Sequence, residues 1–240
     1  MSHIYDALEA AEEETGKPRK QPARAAAGGG SARGIDKVML NLYQNICSLL
    51  PDVNGRVVLF VGCSPSDGAV VLARQFARVV AFQMDRRVLL LDADRHHPTQ
   101  AGAFHVQPKT SWEQAVEHGK LTKGVFAQVE ESSLCVAQMC TPGSGTRPIL
   151  DSPAMRKSLD EARKHFDLIL IDTPPFSSSA DGLTLSRQVD GVVVVVEAEK
   201  TRRQAAQQFA NRMISSGGIL LGVIFNKRRF PIPKLLLKLI

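Results

Sequence analysis

Residues capable of chemistry gather first between Arg56 and Gln75, where the chain reads RVVLFVGCSPSDGAVVLARQ. Val57 to Val61 is an apolar, β-branched run long enough for a buried strand and too short for a helix. A small polar turn follows, Gly62-Cys63-Ser64-Pro65-Ser66-Asp67-Gly68, and from Ala69 to Met84 the apolar residues recur at helical spacing. Strand, glycine turn and helix are the layout of a phosphate-binding loop, whose amides and helix N-terminus cradle an anion. A working loop also needs Lys directly after its last Gly, then Ser or Thr, to neutralise the β- and γ-phosphates and to ligate Mg²⁺. Here Gly68 is followed by Ala69, Val70 and Val71. One missing unit charge at ~4 Å and an effective dielectric of ~20 removes about 4 kcal/mol of attraction before desolvation. The loop alone therefore offers a phosphate little beyond backbone amides, and a glycine turn is also needed simply to pack strand against helix.

Three carboxylates form the second set. Asp92 and Asp94 close the strand VLLLDAD, and Asp172 closes LILID. Acids at the carboxyl ends of strands stand where open α/β sheets bind ligands. The plainer roles are a cap on the helix after Pro98 or a pairing with Arg95, and for Asp172 a turn before Pro174 and Pro175. His96 and His97 lack further ligands at metal spacing, so they read as exposed turn residues and no metal site is expected. Cys63 sits inside the loop at a helix N-terminus, which is expected to lower its pKa and makes a redox role conceivable, though a small buried residue is the simpler reading. Trp112 reads as core or interface.

These groups need a scaffold, and its pattern is strand alternating with helix. Strands are expected at 57–61, 88–91, 125–129, 134–137, 167–171, 191–196 and 219–225. Helices are expected at 36–50, 69–84, from Pro98 towards Phe104, from Ser111 to about Gly119, and at 151–164, 179–188 and 201–215. Strands that are apolar throughout, such as Gly191–Val196, are buried on both faces. The implied fold is α/β: a doubly wound, mostly parallel sheet with helices on both faces, like the P-loop NTPases. In the helix at 36–50, Val38, Leu42, Ile46 and Leu49 mark the expected inner face. Around this domain, taken as 35–226, lie an acidic N-terminal helix (1–15), a linker rich in Pro, Ala and Gly (16–34) and a basic, apolar C-terminal tail (227–240). Thr141–Thr146 is a glycine-containing loop.

A hydrophobic content of 44 % suffices for one large core, and aromatics at 5 % suit Val/Leu/Ile packing. The net charge of +6 is uneven, acidic at the N-terminus and basic in the tail. No basic stripe with interleaved aromatics supports nucleic-acid binding. The four cysteines lack CxxC spacing and read as free thiols in a reducing compartment. No run of ~18 apolar residues reads as a membrane span and no signal peptide is evident, so the expected location is cytoplasmic.

VLLLDADRHHP (88–98), FDLILIDTPP (166–175) and ILDSP (149–153), in that order, resemble the motifs of the bacterial tyrosine kinases of capsule and exopolysaccharide assembly. Those belong to the deviant P-loop ATPases. The opening MSHIYDALEAAEEE is similar to that of exopolysaccharide-locus members. The resemblance implies that Asp92 and Asp94 descend from acids that hold Mg²⁺ and activate the attacking hydroxyl, and that Asp172 is the Walker B acid. It places a nucleotide against Ser64, Pro65, Ser66, Asp67, Gly68, Ala69 and Val70, with Asn226 near adenine. Two departures stand out. The family's PGEGKST is here Pro65-Ser66-Asp67-Gly68-Ala69-Val70-Val71, and the tyrosine cluster that active members phosphorylate is absent, since only Tyr5 and Tyr43 occur.

The expected function is thus a non-catalytic or weakly nucleotide-binding relative that regulates exopolysaccharide or capsule polymerisation or export. The catalytic acids are vestigial, and no cofactor is required beyond weak ATP or ADP binding. The partner is a membrane chain-length or export component, with peripheral attachment at the inner face of the cytoplasmic membrane helped by 227–240. The alternatives are an active ATP-dependent tyrosine kinase or ATPase with an unusual loop, and a partition-type positioning ATPase. The helix at 37–50 lacks the arginines of the ring-forming helix of relatives, so a monomer or dimer is expected.

Overall fold

The computed structural model describes residues 31–50, 55–140 and 149–227. The expected N-terminal helix, almost all of the tail and the loop at 141–146 lie outside the described residues. The sheet has seven strands: β1 (Arg56–Gly62), β2 (Val88–Asp92), β3 (Ala127–Gln128), β4 (Leu134–Gln138), β5 (Leu168–Asp172), β6 (Gly191–Glu197) and β7 (Leu220–Asn226). Their order is β3-β4-β2-β5-β1-β6-β7. All pairings are parallel except β3 with β4. The expected strand at 125–129 therefore shrinks to two residues on an antiparallel edge, because Val125 belongs to a 3₁₀ turn, Lys123–Val125.

The helices are α1 (Ser31–Leu49), α2 (Ala69–Met84), α3 (Gln100–Ala103), α4 (Trp112–Glu117), α5 (Pro153–Ala162), α6 (Asp181–Leu185) and α7 (Arg203–Ser215). Side chains alternate across a strand, so β1 feeds two cores. Val57, Leu59 and Val61 pack with α4, α5, α6 and α7 on one face. Val58 and Phe60 pack with α1 and α2 on the other. Covering both faces is what makes β1, β2, β5 and β6 continuous apolar runs. Trp112 is fully buried and its indole N–H donates to Ser158 Oγ at 2.9 Å, joining α4 to α5.

α1 corrects two readings. It begins at Ser31, inside the stretch taken as linker. Its buried seam is Met39, Tyr43, Ile46 and Leu50, whereas Val38 and Leu49 are 62 % and 60 % exposed. Both stripes have helical spacing. The aromatic contact of Tyr43 with Phe76, centroids 6.5 Å apart, goes with the first. α6 is also shorter than the helix expected at 179–188, since Ser178 and Ser179 donate their amides to Pro175 O in a preceding turn.

At the amino end of the sheet, Arg163 grips Asp190 with Nη1 at 2.6 Å and Nη2 at 2.8 Å, and Asp190 Oδ2 accepts from the Val57 amide at 2.7 Å. This anchors α5, β1 and the start of β6 together. At the other end the strand order reverses about β1 and β5. There β1 delivers the loop 62–68, β5 delivers Asp172 and β2 delivers Asp92.

Candidate functional site

The loop keeps the shape of an anion cradle. Pro65–Asp67 form a 3₁₀ turn, and Gly68 then takes φ +77°, which L side chains resist. A Cβ on Gly68 would also lie 2.8 Å from Asn226 Nδ2. α2 starts directly after, with no side chain capping its first amides. Asp67 turns inward and is fully buried. Its Oδ2 accepts from the Ser64 amide at 2.7 Å, and its Oδ1 accepts from the Glu197 amide at 2.8 Å and Thr201 Oγ1 at 2.7 Å. The residue in the family's Glu position thus ties the loop to the end of β6.

Two residues from the end of β7 hold the loop from the other side. Asn226 Nδ2 donates to Asp67 O at 2.8 Å. Lys227, half-exposed, donates from Nζ to Ser66 O at 2.5 Å and lies 3.6 Å from Glu197 Oε2. Asn226 was expected near an adenine; here its amide supports the loop backbone.

Asp92 and Asp172 are register partners on β2 and β5, each 1 % exposed. Asp92 caps α3: its Oδ2 accepts from the amides of Thr99 at 2.7 Å and Gln100 at 2.8 Å. Its Oδ1 accepts from the Asp94 amide at 3.1 Å. Asp94 Oδ1 in turn accepts from the amides of His96 at 3.0 Å and His97 at 2.9 Å, and both histidines are exposed. Arg95 pairs instead with Glu113, at 2.8 Å in a buried contact. Of the two plainer roles, capping is realised by Asp92.

Gln100 was not anticipated, and it links these parts. Its backbone is capped by Asp92, and its fully buried side chain reaches across to α2 and β5. Nε2 donates to Asp172 Oδ2 at 2.6 Å and to Val70 O at 3.1 Å, while Oε1 accepts from Arg74 Nε at 2.8 Å. Asp172 Oδ1 is buried without a hydrogen-bond partner. Burial first, and the neighbouring Asp92 second, push the Asp172 carboxyl up to about 8, while Gln100 pulls the other way. Burial raises Asp92 too, against the three amides that it accepts from. One acid of the pair therefore holds a proton at neutral pH.

Cys63 corrects another expectation. Burial, then the Asp67 carboxylate, push its thiol up to about 11, so proximity to a helix start does not activate it. Among the described residues no group of three or more His, Cys, Asp or Glu is arranged to hold a metal ion. The site collects a glycine loop, a helix start with no side-chain cap and a buried acid pair, with the amide of Gln100 placed between helix and acid.

No model of a known protein family matches the chain. Tyrosine-protein kinase YwqD of Bacillus subtilis is 29% identical over 184 residues, covering 72% of this chain and 73% of that protein. Tyrosine-protein kinase CpsD of Streptococcus pneumoniae is 24% identical over 75% of this chain and 79% of its own length. The chain is a relative of the bacterial tyrosine-protein kinases. The succinoglycan biosynthesis transport protein ExoP of Rhizobium meliloti is 25% identical over 75% of this chain, which matches 23% of that longer protein. Two solved structures establish the likeness of fold. The kinase domain of the Escherichia coli tyrosine kinase ETK has a TM-score of 0.70 at 20% identity, covering 82% of this chain and 78% of that one. The cell division ATPase MinD of Pyrococcus furiosus has a TM-score of 0.60 at 14% identity, covering 71% of each chain. The P-loop NTPase-like architecture read from the sequence is thereby found in the structure as well.

Proposed function

We propose that this relative of the tyrosine kinases is non-catalytic, binds nucleotide weakly through backbone amides or not at all, and regulates polymerisation or export of an exopolysaccharide or capsule through a membrane partner. The observation that carries the reading is the state of the metal and phosphate positions. Ala69, Val70 and Val71 supply neither charge nor hydroxyl, and the Gln100 amide holds Asp172 on the side towards Val70. Mg²⁺-ATP does not fit this set. The loop supplies no hydroxyl to ligate the ion and no lysine to neutralise the phosphates. No phosphoryl-transfer step is therefore derived for Asp92, Asp94 or Asp172.

The polysaccharide branch rests on the ILDSP segment, on the opening MSHIYDALEAAEEE and on relatives such as ExoP, which is named for succinoglycan biosynthesis. No described helix is long and apolar enough to cross a membrane. Peripheral attachment is assigned to the basic, apolar residues 227–240 with a membrane-protein partner, and the assembly is a monomer or dimer.

The test is a comparison in cells and in solution. Purified protein with Mg²⁺-ATP is expected to show no autophosphorylation and no ATP turnover. A chromosomal Asp172→Asn substitution is expected to leave polymer length unchanged, whereas deletion of the gene alters it. Turnover abolished by Asp172→Asn, or a polymer defect in that strain equal to the deletion, would refute the proposal.

A further inference from the structure

β7 is an edge strand of seven residues, Leu220–Asn226, and none of them is charged. Natural sheets blunt such edges with charge, proline or a covering element. Val223 and Phe225 align with Val194 and Val196, whose side chains belong to the core under α7. They therefore face the same side of the sheet as α7, yet Val223 is 40 % and Phe225 67 % exposed.

α7 presents a matching flank. Arg212 lies over the ring of Phe176 at 5.5 Å, and Phe176 is tied to the end of β1 by its amide bond to Gly62 O. Arg212 thus marks the flank of α7 that faces the middle of the sheet. Ile214 is two residues on, about 200° round the helix, so it faces the β7 edge. It is 56 % exposed, and Ile219 at the start of the edge is 59 % exposed. The flank between α7 and β7 is an apolar strip at the open side of the sheet, with Arg202 and Arg203 exposed at its upper end. From Thr201 to Asn226 the chain carries three arginines and no acid.

We propose that residues 4–14 of this chain cover the strip as an amphipathic helix lying beside α7. Charge and pattern choose this occupant. Ile4, Ala7, Leu8 and Ala11 fall on one helical face, and Asp6, Glu9, Glu12, Glu13 and Glu14 supply five acids with no Lys or Arg in the first fourteen residues. The other apolar segment, 228–240, carries Arg228, Arg229, Lys234 and Lys238 with no acid, and would set like charges against Arg202 and Arg203. A second copy would bring the same arginines. Reach is sufficient. Residues 15–30 extend to roughly 50 Å, against a domain of this size about 40 Å across. A helix this short is marginal alone, and an apolar flank supplies the packing that it lacks.

Hydrogen exchange on the full chain tests this. Amides in 4–14 and along β7 are expected to be protected. Phe225→Ser with Val223→Ser, both at exposed positions, is expected to lower the protection of 4–14 about tenfold while the core amides of β1 and β5 stay unchanged. Arg202→Glu with Arg203→Glu is expected to act in the same direction. Exchange in 4–14 that is fast in the unaltered chain, or that none of these variants changes, overturns the proposal. So does protection that rises with protein concentration, which would make the occupant another copy, or a loss confined to 228–240, which would make it the tail.

Discussion

Asp67, in the turn after β1, and Asp172, at the end of the adjoining β5, are both buried acids, and their surroundings differ. Asp67 accepts three hydrogen bonds, from groups as distant in sequence as Glu197 and Thr201. Asp172 accepts one, from Gln100, and has an oxygen with no hydrogen-bond partner. Both oxygens of Asp67 are met by donors, whereas burial pushes the Asp172 carboxyl up to about 8. In this molecule a dedicated carboxylate ties the loop to the end of β6, while the acid beside it keeps an oxygen without a hydrogen-bond partner.

Removing Asp67 should have the largest effect. Asp67→Ala takes the acceptor from the Ser64 amide and the Thr201 hydroxyl, while the Glu197 amide keeps Thr201 Oγ1 at 3.1 Å, at about 1–3 kcal/mol for each buried group left unmade. A loss of about 4 kcal/mol in urea unfolding is expected, and a loss under 1 kcal/mol would show that the loop holds itself.

Stability should vary with pH through Asp172. Its folded pKa of about 8 lies above the ordinary carboxylate value near 3.9, so the folded state binds the extra proton. Its contribution to stability is complete below about pH 4 and is lost as pH rises through about 8. Asp172→Asn keeps an acceptor for Gln100 and removes the titration. The variant is expected to exceed the unaltered chain by on the order of 2 kcal/mol at pH 8.5, with the gap closing towards pH 4. Parallel stability curves across that range would mean that Asp172 is ionised throughout, and the contrast with Asp67 would fail.

The smallest effect should come from Lys227→Ala. Its ammonium touches the same loop at Ser66 O but is half-exposed, so a change of about 0.5 kcal/mol or less is expected by thermal melting. A larger loss would move the support of the loop from Asp67 to the end of β7.

Much of this was readable in the sequence. Val57–Val61 and Gly191–Val196 could only be buried strands, and alternation with helices left a parallel sheet. Ser64-x-x-Asp67 before a helix is a capping pattern, so the inward turn of Asp67 also had a local signal. Gln100 had none, because its partner Asp172 is 72 residues away and only the strand order brings them together. The α1 seam failed for a different reason: two stripes offset by one residue satisfy the same period, and only the rings of α2 distinguish them. Cys63 was misjudged because partial burial and the Asp67 carboxylate beside it outweigh the helix start.

The position of β1 has a consequence for the order of events in synthesis. Its neighbours on either side are β5 and β6, and Val57 pairs with Ile169 and Val58 with Gly191. More than a hundred residues must leave the ribosome before the first of these partners exists. At about 5–20 residues per second that is a wait of roughly 6–20 s. Throughout it the segment Val-Val-Leu-Phe-Val has no strand to pair with, so the nascent chain carries a wholly apolar stretch bare and is a natural client for chaperones that bind extended apolar peptide.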